Sequence, residues 1–192
     1  MVTEEKRQLR SQVDQLRTKR SAAELIQADQ KFAQIDWDSL LPGTAVGCYL
    51  SMTNEPPTGG LIDAISANGK TVYVPKLTAD SKLRWGLNKP PMIKNKFGVL
   101  EPEHALCETE SLTAIIIPAL CVDRDGNRLG RGAGYFDRTL AAVEQYALGG
   151  PKRVALVFDE EVLDAIPHDA LDQSVDLIVT PKRIFEVETR HS

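Results

Sequence analysis

Five short, largely apolar runs, at residues 45–50, 71–74, 114–118, 153–158 and 175–179, alternate along this chain with segments of helical periodicity. A strand that is apolar at every position is buried on both faces, and the helical stretches between such strands supply crossovers from one parallel strand to the next. The pattern predicts an α/β fold, a three-layer sandwich whose mainly parallel sheet is covered by helices on both faces. Two helices come before the sheet. Leu9, Val13 and Leu16 mark the first, over residues 3–20, and the capping-box sequence Ser21-Ala22-Ala23-Glu24 starts a second that runs to about residue 36. A short helix is expected around 61–66 and a longer one over 135–146. The stretch 83–107, with Pro90, Pro91 and Pro102, breaks the alternation and reads as irregular strand and loop over the sheet's edge. With 192 residues, 42% of them hydrophobic, the chain is read as a single domain, 1–192.

Open parallel sheets bind ligands beyond the carboxyl ends of their strands. After the 114–118 run comes Gly126-Asn127-Arg128-Leu129-Gly130-Arg131-Gly132-Ala133-Gly134-Tyr135-Phe136-Asp137-Arg138, with four glycines and three arginines in thirteen residues. Glycines let backbone N–H groups approach an anion, a helix start adds about half a positive charge, and guanidinium forks grip phosphate oxygens in pairs. A flexible loop with solvated arginines is the plainer alternative. The spacing is not that of a P-loop, because no Lys-Ser or Lys-Thr pair follows these glycines, nor that of a dinucleotide fingerprint, because Gly130, Gly132 and Gly134 alternate and come late. In the first helix Lys6, Arg10 and Arg17 fall within about 40° of one another and form a basic stripe, either closing over an anion or facing solvent. Asp137 lies one turn past the glycines, where its carboxylate suits a cation bridging phosphates, with Asp176, Asp159, Asp123 or Asp125 as second ligand. Glu55 follows the first strand. Trp85 and Phe97 are candidates to wall a flat ligand, or else pack a core edge.

Composition removes several classes of function. The net charge is −4 and the isoelectric point about 5.5, with a local surplus of positive charge in the first twenty residues, so a duplex nucleic-acid partner is not expected. Cys48, Cys107 and Cys121 form no Cys-x-x-Cys pair and read as core residues of a reducing compartment. His104, His168 and His191 are too scattered for a zinc site. No apolar stretch reaches membrane-spanning length and the N-terminus is charged, so the expected protein is cytoplasmic, without a membrane partner, and monomeric.

The run from Asp123 to Arg138 closely resembles the signature of the 5-formyltetrahydrofolate cyclo-ligase (5,10-methenyltetrahydrofolate synthetase) family. Weaker matches fall in the same order along most of the chain: Lys6-x-x-Leu9-Arg10, Leu50-Ser51-Met52-x-x-Glu55, Phe97-Gly98-x-x-Glu101-Pro102 and Val175-Asp176-x-Ile178-x-Thr180. The resemblance implies ATP-dependent ring closure of 5-formyltetrahydrofolate, with magnesium as cofactor. It implies that Lys6, Arg10, Arg128, Leu129, Gly130, Arg131, Gly132, Ala133, Gly134, Tyr135 and Phe136 hold ATP. Leu50, Glu55 and Arg131 to Tyr135 would touch the folate, Arg131 and Tyr135 would act at the reacting groups, and Asp137 and Asp176 would hold magnesium. Two positions depart from the pattern. Many relatives carry lysine or glycine where Ala133 stands, and often a second tyrosine where Phe136 stands. Two rival readings are a phosphosugar isomerase or acyl-CoA transferase relative, with no use for ATP, and a non-catalytic nucleotide or folate binder in which Ala133 marks lost activity.

Overall fold

The computed structural model describes residues 2–95 and 98–187, so Phe97 and His191 lie outside the described residues. Helix α1 (Val2–Thr18) is followed by α2 (Ala22–Ala33), whose start is the predicted capping box: the Ser21 hydroxyl accepts from Glu24 N at 3.3 Å, and the Glu24 carboxylate accepts from Ser21 N at 2.7 Å. Helix α2 stops three residues short of the expected end because the chain turns into a new helix, α3 (Trp37–Leu40). Asp36 caps that helix, and the buried Trp37 indole donates to Phe32 O at 2.7 Å, taking a carbonyl from the end of α2.

Strand β1 (Ala45–Cys48), helix α4 (Gly59–Ala67) and strand β2 (Thr71–Leu77) form the first crossover unit. Strand β3 (Leu83–Leu87) pairs antiparallel with β2, and β4 (Met92–Lys94) with β5 (Leu100–Pro102) forms a separate two-stranded sheet. The segment expected to be irregular therefore contains ordered strands: β3 extends the sheet by backbone pairing, and Trp85 anchors it, fully buried, with its indole donating to Thr109 Oγ1 at 3.0 Å. Strand β6 (Ala114–Pro118) leads into a hairpin of β7 (Cys121–Asp123) and β8 (Arg128–Leu129), then α5 (Tyr135–Leu140) and β9 (Lys152–Leu156). Strand β10 (Val162–Leu163) joins the hairpin in a three-stranded sheet, and β11 (Leu177–Val179) and β12 (Ile184–Glu186) complete the main sheet.

That main sheet has seven strands in the order β12-β11-β9-β6-β1-β2-β3. Its inner five run parallel, and both edge strands are antiparallel. One face packs Val46, Ile116, Val154 and Leu177 against Phe32 of α2 and Leu61 and Ile65 of α4. The opposite face packs Ile115, Ile117, Ala155 and Ile178 against Trp85, Val122 and the short α5 through Phe136 and Leu140. Helices were expected on both faces; the second carries one six-residue helix and is otherwise closed by strand and loop residues. The expected helix over 135–146 ends at Leu140, where the buried Arg153 guanidinium collects the carbonyls of Leu140 (3.2 Å) and Val143 (3.0 Å). Helix α1 packs on the small sheet, with Val13 against Leu120, Cys121, Leu129 and Ile166.

Candidate active site

From β1 the chain crosses to β2 on one side, while β6 leads on to β9 on the other, so the sheet's topology switches between β1 and β6. Beyond the carboxyl ends of these strands lies a cavity of about 620 Å³, at the crevice where such folds place ligands. Its floor includes Tyr49 and Leu50 after β1, Pro75 and Leu77 of β2 and Pro118 of β6. Residues of the glycine–arginine loop form one wall.

The conformation of that loop follows from its glycines. Gly132 and Gly134 have φ of +99° and +68°, a region that side-chain-bearing residues avoid. Among the described residues, the backbone N–H groups of Gly132, Ala133 and Gly134 donate to no protein acceptor. The hairpin before it is braced by Asp123, whose carboxylate accepts from Asn127 N (3.0 Å), Asp125 N (3.1 Å), Asn127 Nδ2 (2.8 Å) and Ile166 N (3.2 Å). Asp123 thus serves as a turn former and does not line the cavity. Asp159 accepts from Thr180 Oγ1 at 2.8 Å and does not line the cavity.

Arg128 is 4% exposed and pairs with Asp137; its Nε is buried with no hydrogen-bond partner. Burial pulls its guanidinium below the usual range, against the opposing pull of Asp137 and Asp172. Arg131 Nε donates to Glu55 Oε1 at 2.9 Å and its Nη1 to Asp14 at 3.1 Å, tying the loop both to the end of β1 and to α1. Arg10 Nε donates to Gly130 O at 2.8 Å, and its guanidinium lies against Gly132.

The predicted basic stripe divides three ways. Arg10 and Arg17 both line the cavity, but Arg17, 1% exposed, is consumed by Glu161 (2.7 Å to each carboxylate oxygen) and Ala119 O. Lys6 is buried between Asp169 (2.7 Å) and Asp172 (2.5 Å), and it is those two carboxylates, not Lys6, that line the cavity. Burial opposes the charge on Lys6, but the pair of carboxylates outweighs it and holds the ammonium above its usual range.

Leu50, Glu55, Arg128, Gly130, Arg131, Gly132, Ala133, Gly134, Tyr135, Phe136 and Asp137 all line the cavity. Leu129 does not: it packs in the core between α1 and the small sheet. Nor does Asp176, which stands just before β11, at the end of the sheet opposite the cavity. Its Oδ2 accepts from Arg153 N at 2.7 Å, and burial pushes its carboxyl above the usual range. Asp137 reaches that region only through Gln173, whose N–H donates to Asp137 Oδ1 and whose side chain accepts from Arg153. Among the described residues no group of three or more His, Cys, Asp or Glu side chains is arranged to hold a metal ion. Trp85 is core rather than cavity wall and meets Phe136 edge-on at 6.4 Å. No cysteine lines the cavity, and burial pushes the Cys121 thiol up to about 12.

Residues 2–181 match the model of the 5-formyltetrahydrofolate cyclo-ligase family. The chain belongs to that family. It is 34% identical over 189 residues to the 5-formyltetrahydrofolate cyclo-ligase of Mycolicibacterium smegmatis, covering 93% of this chain and 94% of that one, and 28% identical to the mouse cyclo-ligase with the same coverage. In fold it is similar to the 5,10-methenyltetrahydrofolate synthetase of Aquifex aeolicus, with a TM-score of 0.80 at 24% identity over 97% of this chain and 95% of that one.

Within this cyclo-ligase fold, the structure adds lining residues that the sequence did not single out as a site: Tyr49, Leu77, Asn95, Asp169 and Asp172, together with Met52 and Glu101, noted only as parts of motifs. Asp169 and Asp172 lie in a segment without strand or helix periodicity. Only the fold brings them to the cavity. Among the described residues no helix is long and apolar enough to cross a membrane.

Proposed function

We propose that this chain catalyses ATP-dependent conversion of 5-formyltetrahydrofolate to 5,10-methenyltetrahydrofolate, releasing ADP and phosphate. The carrying observation is a single cavity in which the open N–H groups of residues 132–134 and the buried Arg128 adjoin an apolar floor of Tyr49, Leu50 and Leu77. The first set suits a polyphosphate and the second a flat ring system.

A formyl oxygen is a poor leaving group until it carries phosphate. In the proposed reaction it attacks the γ-phosphorus of ATP, and ADP departs with the bridging oxygen's electrons. The N10 nitrogen of the folate then attacks the activated formyl carbon, its proton passes to solvent, and the carbon–oxygen bond breaks to release phosphate. Such chemistry asks the protein for positioning and charge neutralisation rather than a nucleophile. Arg128 and the loop N–H groups would hold phosphate oxygens. Arg131, fixed by Glu55 and Asp14, and Tyr135 would stand where the two substrates meet.

A magnesium ion, when bound, neutralises charge on the phosphate oxygens. Asp137 fits the role of ligand, because both of its protein contacts fall on Oδ1 and leave Oδ2 to the cavity. Asp176 does not fit it in this arrangement, since its carboxylate faces Arg153. Phe136, where relatives often carry tyrosine, packs into both faces of the core, so the missing hydroxyl leaves the layer intact.

Mixing the protein with 5-formyltetrahydrofolate, Mg²⁺ and ATP should produce the methenyl chromophore with one ADP per product. Product formed at full rate in EDTA, or without nucleotide, would overturn the mechanism.

A further inference from the structure

The cavity contains a second buried carboxylate, Glu101 of β5, which the proposed chemistry leaves without a task. It is 8% exposed and lines the cavity beside the carboxyl end of β2. Its Oε1 is held twice, by Asn95 Nδ2 at 2.8 Å and by the Leu77 N–H at 3.3 Å. Its Oε2 accepts from no described residue, and no described cation pairs with it: the cavity arginines are committed to Asp137, Glu55, Asp14, Glu161 and backbone carbonyls.

Glu55 offers a contrast, because each of its oxygens already accepts a protein hydrogen bond, Oε1 from Arg131 and Oε2 from Met52 N at 2.9 Å. A carboxylate oxygen open to the cavity is served by water while the site is empty, and a ligand that displaces that water must bring a donor of its own. A nucleotide's phosphates bring only negative charge. The bicyclic ring of a reduced folate brings N–H donors.

We infer that Glu101 is a specificity-determining binding residue, whose Oε2 accepts from a ring N–H of the folate while Asn95 and Leu77 fix its orientation. The inference rests on the proposed reaction, since it takes the folate as the ring that fills the cavity. It also gives the β4–β5 hairpin a task, since β5 carries Glu101 and the residue after β4 carries Asn95.

Glu101→Gln and Glu101→Ala separate a binding role from a structural one. In Glu101→Gln the amide oxygen must serve Asn95 and Leu77, so its NH₂ group meets the ring N–H, donor against donor. The glutamine variant should therefore bind 5-formyltetrahydrofolate at least as poorly as the alanine variant, each weaker than the parent by about tenfold or more, with KM for ATP and melting temperature little changed. A structural role predicts the reverse order, with glutamine rescuing what alanine loses. Unchanged folate affinity by calorimetry, equal losses for ATP and folate, or unfolding of both variants would each overturn the inference. Failure of the parent to form methenyl product would instead overturn the reaction, and calorimetry with 5-formyltetrahydrofolate alone would still decide the Glu101 contact.

Discussion

The two walls of the cavity are built in opposite ways. The wall of Arg128 to Asp137 comes from consecutive residues, and its shape is dictated locally: Gly132 and Gly134 take positive φ, and Arg128 at the end of β8 turns inward to Asp137 nine residues later. A second wall is assembled from Leu77 of β2, Asn95 after β4 and Glu101 of β5, whose alignment depends on the pairing of β4 with β5 and on the Glu101 side chain reaching Leu77 N–H of β2. The first wall is cationic with open N–H groups; the second is apolar with one carboxylate. Phosphate recognition can thus be written in a contiguous motif, because backbone N–H groups need only the right φ, whereas ring recognition needs a surface made by the fold.

Substitutions on the two walls should therefore separate the two substrates. The largest effect is expected for Arg128→Ala, which removes the buried charge proposed to meet the phosphates and takes away the ion-pair partner of Asp137. Turnover should fall by about 10²- to 10³-fold while calorimetry shows 5-formyltetrahydrofolate binding nearly unchanged. A comparable loss of folate affinity would merge the two walls into one functional unit.

Next in size is a comparison of two aspartates. Asp137→Asn should lower turnover by at least about tenfold and raise the magnesium concentration needed for half-maximal rate. Asp176→Asn, which touches Arg153 rather than the cavity, should act mainly on melting temperature. If both variants shift the magnesium requirement equally, the Asp176 carboxylate joins the ion when substrates bind, and the Arg153 contact belongs to the ligand-free state only.

The smallest expected effect concerns Lys6 and its partners Asp169 and Asp172. If Lys6 leaves these carboxylates for a phosphate, Lys6→Ala should raise KM for ATP and Asp172→Asn should lower it, each by about threefold and less so at high salt. Shifts in the same direction would show that Lys6 serves only to pin the 169–172 segment to α1.

Which parts were legible follows from the same contrast. The parallel strands, the capping box of α2 and the glycine turn before α5 each rest on neighbours in sequence, and all three appear in the structure. The length of the 135–146 helix was not legible, because its end is set by Arg153, a buried cation from a strand whose apolar run gave no sign of reaching the helix's carbonyls. The basic stripe of α1 had the right geometry, yet helical spacing says nothing about what each side chain meets. Glu161 consumes Arg17, and Asp169 with Asp172 consume Lys6.

The sequence by itself determined the class of the fold and the position of the glycine–arginine loop, since apolar periodicity and glycine conformation are local properties that act through neighbouring residues. Tertiary structure alone decided which charges remain available to a ligand. A charge is spent or free according to what lies opposite it, and for Arg17, Lys6, Asp176 and Glu101 the deciding partner, or its absence, lies on a different element of the chain.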